Sequence, residues 1–182
     1  TVTGVQTCAL PILSSVEVIL GNTNDNVVTV NQTDLLSGGT VDGSAGTDTL
    51  ALVSSETTLD LSSTTLTSVE VILGNTNDNV VTVNQADLLS GGTVSGSAGT
   101  DTLALVSSET TLDLSSTTLA SVEVILGNTN DNVVTVNQAD LLSGGTVDGS
   151  AGTDTLALVS SETTLDLSST TLASVEVILG NT

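Results

Sequence analysis

Gly43-Ser44-Ala45-Gly46-Thr47-Asp48-Thr49-Leu50-Ala51 is the stretch that decides the fold. It returns at Gly96–Ala104 and again at Gly149–Ala157. Its glycines permit a tight turn with carbonyls directed into the loop, Asp48 offers a hard anionic oxygen, and Leu50 anchors a following strand in a core. A turn that keeps recurring and keeps feeding a strand reads as one corner of a coil. The rest of the chain carries it back to the same place.

The return distance is 53 residues. Ser15–Thr67, Ser68–Ala120 and Ser121–Ala173 are three copies, and Ser174–Thr182 opens a fourth. The full copies differ only at Thr33/Ala86/Ala139, Asp42/Ser95/Asp148 and Thr67/Ala120/Ala173. Short β-type runs punctuated by Gly, Asn, Ser and Asp fill each copy: Val16–Leu20, Val27–Val30, Leu35–Leu36, Thr40–Val41, Leu50–Val53 and Leu59–Leu61. They leave no room for an ordinary helix. Val16-Glu17-Val18-Ile19-Leu20 and Leu59-Asp60-Leu61 alternate apolar and acidic positions, as half-buried strands do. In Asn26–Val30 either Val27 or the pair Val28 and Val30 faces inward, and a one-residue slip exchanges the two.

Each copy also divides into two weakly similar halves, since Gly21–Val27 resembles a degenerate form of the Gly43–Ala51 loop. The acidic residues then fall into three series. Asp25, Asp48, Asp78, Asp101, Asp131 and Asp154 step by 23 and 30; Asp34, Asp60, Asp87, Asp113, Asp140 and Asp166 step by 26 and 27. Glu17, Asp42, Glu70, Glu123, Asp148 and Glu176 follow steps of 25 and 28, with Ser95 in the gap. The pattern predicts an all-β, right-handed parallel β-helix or β-roll-like solenoid over residues 13–182. It has about two coils per copy, 26 or 27 residues per coil and three strands per coil.

Composition narrows the function classes. The chain has 182 residues, 21 of them acidic, with no Lys, Arg, His or aromatic residue, for a formal charge of −21. At 38% hydrophobic it can still build an aliphatic core. Without a basic patch it offers nothing to nucleic acid or an anionic membrane. Most general bases, Schiff-base nucleophiles and oxyanion clamps are missing too, so no catalytic residue is assigned and an enzyme is not expected. No apolar run approaches the roughly 20 residues of a membrane-spanning helix.

Residues 1–12 stand apart from the repeat. They hold the only cysteine, Cys8, and the only proline, Pro11. Val2–Ile12 resembles the translation of a common sequencing adapter and has no basic n-region of a signal peptide. The expectation is a non-native segment joined to a fragment of a longer repeat protein.

The carboxylate series have no internal counter-charge. Two carboxylates about 5 Å apart repel by roughly 1 kcal/mol in water, and by several times that near a low-dielectric surface. A divalent cation between coils would remove that repulsion. The recurring loop matches G-G-x-G-x-D-x-U-x except for Ser at its second position, and in this it resembles the calcium-binding nonapeptide of RTX-type proteins. The resemblance implies Ca2+ held through Gly43, Gly46 and Asp48, Gly96, Gly99 and Asp101, and Gly149, Gly152 and Asp154. The weaker neighbouring loops would contribute Asp25, Asp78 and Asp131. The alternatives are plain glycine turns with a solvated Asp, and asparagine ladders in the weaker loops. The other two acidic series read as a solvated strand face.

The chain as a whole resembles the RTX-like repeat regions of large bacterial surface-layer and adhesin proteins. That resemblance implies a secreted or cell-surface segment, a calcium-stiffened spacer or lattice element with surface or lattice neighbours as partners. Uncapped ends imply end-to-end self-association. Two other classes compete with it. An ice- or surface-binding solenoid needs a Thr-x-Thr row on every coil, and the step from Val28-Thr29-Val30 to Leu50-Ala51-Leu52 breaks it. An accessory module of a secreted polysaccharide-active enzyme is the other.

Overall fold

The computed structural model describes residues 2–3, 17–35 and 37–180. Among the described residues every strand pair is parallel, and the strands stack as a β-solenoid. In the first copy the elements run Val18–Leu20, Val27–Val30, a three-ten turn at Gln32–Asp34, Thr40–Asp42, Thr49–Leu52, Thr58–Asp60 and Thr65–Thr67. The second copy repeats these seven elements, the third keeps six of them, with 164–166 in the place of Thr58–Asp60 but not a strand, and the places visit three faces in strict rotation.

The pairing shows the rotation directly. On the first face Val18–Leu20 lies against Thr40–Asp42, which lies against Thr65–Thr67. The second face runs from Val27–Val30 through Thr49–Leu52, Val71–Leu73 and Thr93–Ser95 to Thr118–Ala120. The third runs from Thr58–Asp60 through Val80–Val83, Thr102–Leu105, Val124–Leu126 and Thr146–Asp148 to Thr171–Ala173. Within the repeat, opposed residues are 22 apart, as in Thr58↔Val80, or 25 apart where the upper strand is of the Thr65–Thr67 type, as in Thr40↔Thr65.

Seven elements on three faces make two turns and one third. Each copy therefore starts one face further round than the last, and three copies complete seven turns. With rungs about 4.8 Å apart, a copy advances the rod by about 11 Å. The coil is therefore shorter than the expected 26 or 27 residues, and the expected solenoid of about two coils per copy stands, at two and one third. The strand Thr65–Thr67 was not expected, and it is the seventh element that sets the phase. Leu35–Leu36 was expected to be a strand. Instead the chain makes the three-ten turn Gln32–Asp34, Leu35 closes it, and Leu36 lies outside the described residues.

The turn is specified locally. Asn31 accepts from the amide of Asp34 at 3.1 Å, and Asp34 accepts from the amide of Asn31 at 2.9 Å, a reciprocal capping box. A three-ten turn would interrupt a sheet, yet its side chains stand in for a strand. In the second copy the Gln85 amide faces the backbone of Asp113: Oε1 accepts from the amide at 2.6 Å and Nε2 donates to the carbonyl at 3.0 Å. On the other side the Asp87 carboxylate accepts from the amide of Leu66. The first face thereby continues across Gln85–Asp87 into the stack Thr111–Asp113, Val133–Val136, Thr155–Leu158 and Val177–Leu179. Gln32 with Asp60 and Gln138 with Asp166 repeat the arrangement.

The core consists of aliphatic ladders. Leu59, Val81, Leu103, Ile125 and Val147 occupy opposed inward positions on the third face, each at most 3% exposed. Val28 is half-buried and Val30 buried, whereas Val27 is 54% exposed, which settles the register left open by the sequence. Each fully buried Leu or Ile contributes about 1.5–3 kcal/mol, enough in aggregate to need no aromatic residue. Of residues 1–12, only Val2–Thr3 are described, paired with Ile19–Leu20; Cys8 lies outside the described residues.

Candidate functional site

The recurring loop forms a corner of the solenoid, one corner further round in each copy. Its glycines are there for space and for backbone angle. A Cβ on Gly43, Gly96 or Gly149 would overlap the carbonyl oxygen of Ser68, Ser121 or Ser174 on the next turn. Gly46, Gly99 and Gly152 have φ of 127–136°. Ser44, Ser97 and Ser150 also sit at positive φ, 76–82°, so the serine that departs from the nonapeptide occupies a backbone conformation suited to glycine.

The aspartates of the loop point inward. Asp48, Asp101 and Asp154 are each 2% exposed. Their Oδ1 atoms accept from the amides of Asn26, Asn79 and Asn132 on the turn below, each at 2.7 Å. Their own amides donate to Glu70, Glu123 and Glu176 on the turn above, at 2.7–2.8 Å. An Asn–Asp–Glu stack spaced by 22 residues therefore runs up each corner, each carboxylate capping a backbone N–H that the ladder leaves open. The weaker loop lies directly beneath: Asp25, Asp78 and Asp131 are exposed and accept from the amides of Thr47, Thr100 and Thr153 at 2.7–2.8 Å. Its asparagines clamp the turn below in their turn. Asn75 Nδ2 donates to the carbonyls of Val53 and Glu56, both at 2.8 Å, and Asn128 does the same to Val106 and Glu109.

The expected acidic series are thus rearranged. Asp25 does not face Asp48; it faces Thr47, and Asp48 faces Asn26 below and Glu70 above. Asp34, Asp87 and Asp140 are buried, at 3–4% exposure, rather than part of a solvated strand face. Each caps its own three-ten turn, and Asp87 and Asp140 also accept from the amides of Leu66 and Leu119 on the strand below.

Electrostatically the corner is all acid. Burial raises the Asp101 carboxyl above its ordinary range, the Asn79 amide works against that, and the charges of Glu123 and Asp78 add to the rise. In each copy one oxygen of the pair, Oδ2 of Asp48, Asp101 and Asp154, is buried without a hydrogen-bond partner. In the second and third copies that oxygen and the Ser121 or Ser174 carbonyl crowd the same side of the glycine. A calcium ion takes six to eight oxygens. Among the described residues no three carboxylates converge as a metal centre. An ion at Oδ2 would need donors beyond that one carboxylate oxygen to complete its shell.

The Asn–Asp–Glu stack and the glutamine rung were missed from sequence. The first had a signal, the constant 22-residue spacing of Asn26, Asp48 and Glu70. Comparison with known proteins adds no neighbour: no family model, no curated protein and no solved structure matches the chain. No helix among the described residues is long and apolar enough to cross a membrane.

Proposed function

We propose that the chain is a rod-forming structural segment, a spacer or lattice element of an extracellular adhesin-like protein, with no chemistry of its own. The observation that carries this reading is the glutamine and aspartate rung at the three-ten turns Gln85–Asp87 and Gln138–Asp140. It joins one copy to the next without a break in hydrogen bonding, so length grows by whole copies. The composition supports an exposed setting, since a surface of charge −21 with no cation keeps parallel rods apart. Small-angle scattering on chains with three, four and five copies tests it. The reading requires a rod of constant cross-section that lengthens by about 11 Å per copy. A compact particle whose cross-section grows instead would overturn it.

Calcium stiffening is a second reading, favoured by the unpartnered Oδ2 atoms of Asp48, Asp101 and Asp154. Thermal unfolding of the chain in chelator, in millimolar calcium and in magnesium separates the two. A large rise in melting temperature with calcium alone assigns ions to the loops. Equal stability in all three leaves the carboxylates as amide caps and the rod as metal-independent.

A further inference from the structure

Two of the three positions at which the copies differ are neighbours across adjacent strands. Asp42 lies against Thr67, Ser95 against Ala120 and Asp148 against Ala173. Because each copy starts one face further round, these pairs fall on the first, second and third faces in turn. On the second face Leu50, Ile72 and Val94 are buried, which turns the residues on either side of them outward. One outward row reads Thr29, Ala51, Leu73, Ser95 and Ala120. The other, at the first position of each strand, holds only Thr and Val. Ser95 stands where the other copies place Asp42 and Asp148, so these five strands present no carboxylate outward.

The other faces differ. The first carries Asp42 and Asp113 on its strands, and the third Asp60 and Asp148. On the second face an acid returns only at Asp166, beyond the three-ten turn Gln138–Asp140. Charge then decides what can cover that face. The chain carries −21 and no cation, so two copies meeting through either of the other faces would press carboxylates together in a contact that excludes water. Through the second face they meet with Thr, Val, Ala, Leu and Ser alone. We propose that the sheet from Val27–Val30 to Thr118–Ala120 is the lateral contact between two copies of this chain, an isologous pair of rods packed sheet to sheet.

The contact is small. Five strands about 4.8 Å apart and about 10 Å wide offer roughly 250 Å² per rod, so the pair buries about 500 Å², well under the roughly 1,200 Å² of a stable complex. It therefore holds with a Kd of about 1 mM and matters where rods are already held side by side, as lattice neighbours are. Its rims are acidic, with Asp25 and Glu70 along one edge and Glu56, Asp78 and Glu123 along the other. Packed sheets stand about 10 Å apart, beyond the Debye length of about 8 Å at physiological ionic strength. Salt thus screens the rims, and dilute buffer leaves them to push the rods apart. The proposal rests on the rod reading above and names the rod's partner.

The test is small-angle scattering on the full chain, with chelator to exclude divalent bridges and reductant to keep Cys8 from cross-linking. Mass per unit length is read from about 0.02 to 2 mM, either side of the expected Kd, in high and in low salt. In high salt it should climb towards twice the single-rod value at unchanged length, and in low salt it should stay at that value. Ser95→Asp supplies the residue the other two copies carry, so the fold accepts it, and it should abolish the climb. Ala157→Asp adds the same charge to the first face and should leave the climb intact. A wild type that keeps the single-rod value throughout overturns the proposal, as does growth in length instead of cross-section. Pairing that survives Ser95→Asp, or is lost in Ala157→Asp, overturns it too. The dilute, low-salt profile reads the single rod by itself: a rod there without pairing at high salt removes only this proposal, and a compact particle there removes the rod reading with it.

Discussion

Replacing Gln85 by leucine removes the upper half of one side-chain rung while keeping nearly the same volume. Two hydrogen bonds disappear, from the Asp113 amide at 2.6 Å and to its carbonyl at 3.0 Å. Each such bond nets about 0.5–1.5 kcal/mol, and each backbone group left unsatisfied in a buried place costs about 1–3 kcal/mol. Asp113 is only half-buried, so water reaches part of what leucine abandons. The expected loss is therefore about 2–3 kcal/mol. Urea unfolding reads the total, and amide hydrogen exchange locates it. Protection of the Asp113 amide should fall by roughly 30- to 150-fold, the same energy expressed as an equilibrium constant. The Leu103 amide, on another face, should change only as far as global stability does. A stability change below about 0.5 kcal/mol, with Asp113 protection intact, would refute the claim that the glutamine amide serves as a strand.

Three further outcomes follow from the same geometry. Asp101→Asn keeps an acceptor for the Asn79 amide and removes a buried charge flanked by Glu123 and Asp78, so it should raise the melting temperature at pH 7, whereas Asp101→Ala should lower it by about 1–3 kcal/mol of stability. Ser97→Gly should stabilise by about 0.5–1 kcal/mol, because Ser97 holds φ of 82°, and Gly96→Ala should destabilise by about 1–3 kcal/mol through overlap with the Ser121 carbonyl; thermal melts of the pair read both signs. Deleting residues 68–120 joins Thr67 to Ser121 in the phase the solenoid already uses, so circular dichroism should show an unchanged β-spectrum and a single cooperative transition, while a 26-residue deletion from the same region should lose both.

The sequence made the solenoid legible because its 53-residue identity and aliphatic alternation admit little else. The turn length was not, and the reason is physical. Acidic residues were read as columns, but carboxylates here serve the backbone of neighbouring turns, so their spacing reflects which amide needs a cap. Asp34 belongs to a capping box, Asp48 to a corner stack and Asp60 to a strand end, and no single column contains all three. Thr65–Thr67 escaped notice because a lone Leu66 between threonines gives a weak pattern. Gln85 escaped because a glutamine acting as backbone has no signature in one chain. The loop Gly43–Ala51 forms a corner but does not return to the same place, since each copy sets it one corner further round; Gly21–Val27 does lie directly under it, as Thr47 on Asp25 shows. That Asp48 would turn inward was not legible, since its burial depends on Asn26 and Glu70 arriving from other turns.

The three-face phase is the central claim, and paired nitroxide labels test it most directly. With Cys8 replaced by Ser, labels at Thr76 and Ala98 occupy stacked loops one turn apart, where the Ala98 amide meets the Asn75 carbonyl. Labels at Thr76 and Thr129 mark the same position in successive copies, on different corners. Strong dipolar broadening for the first pair and none for the second is the predicted result. If the 76/129 pair broadens as labels about 10 Å apart on one face would, and the 76/98 pair does not, each copy makes two whole coils and the account is wrong.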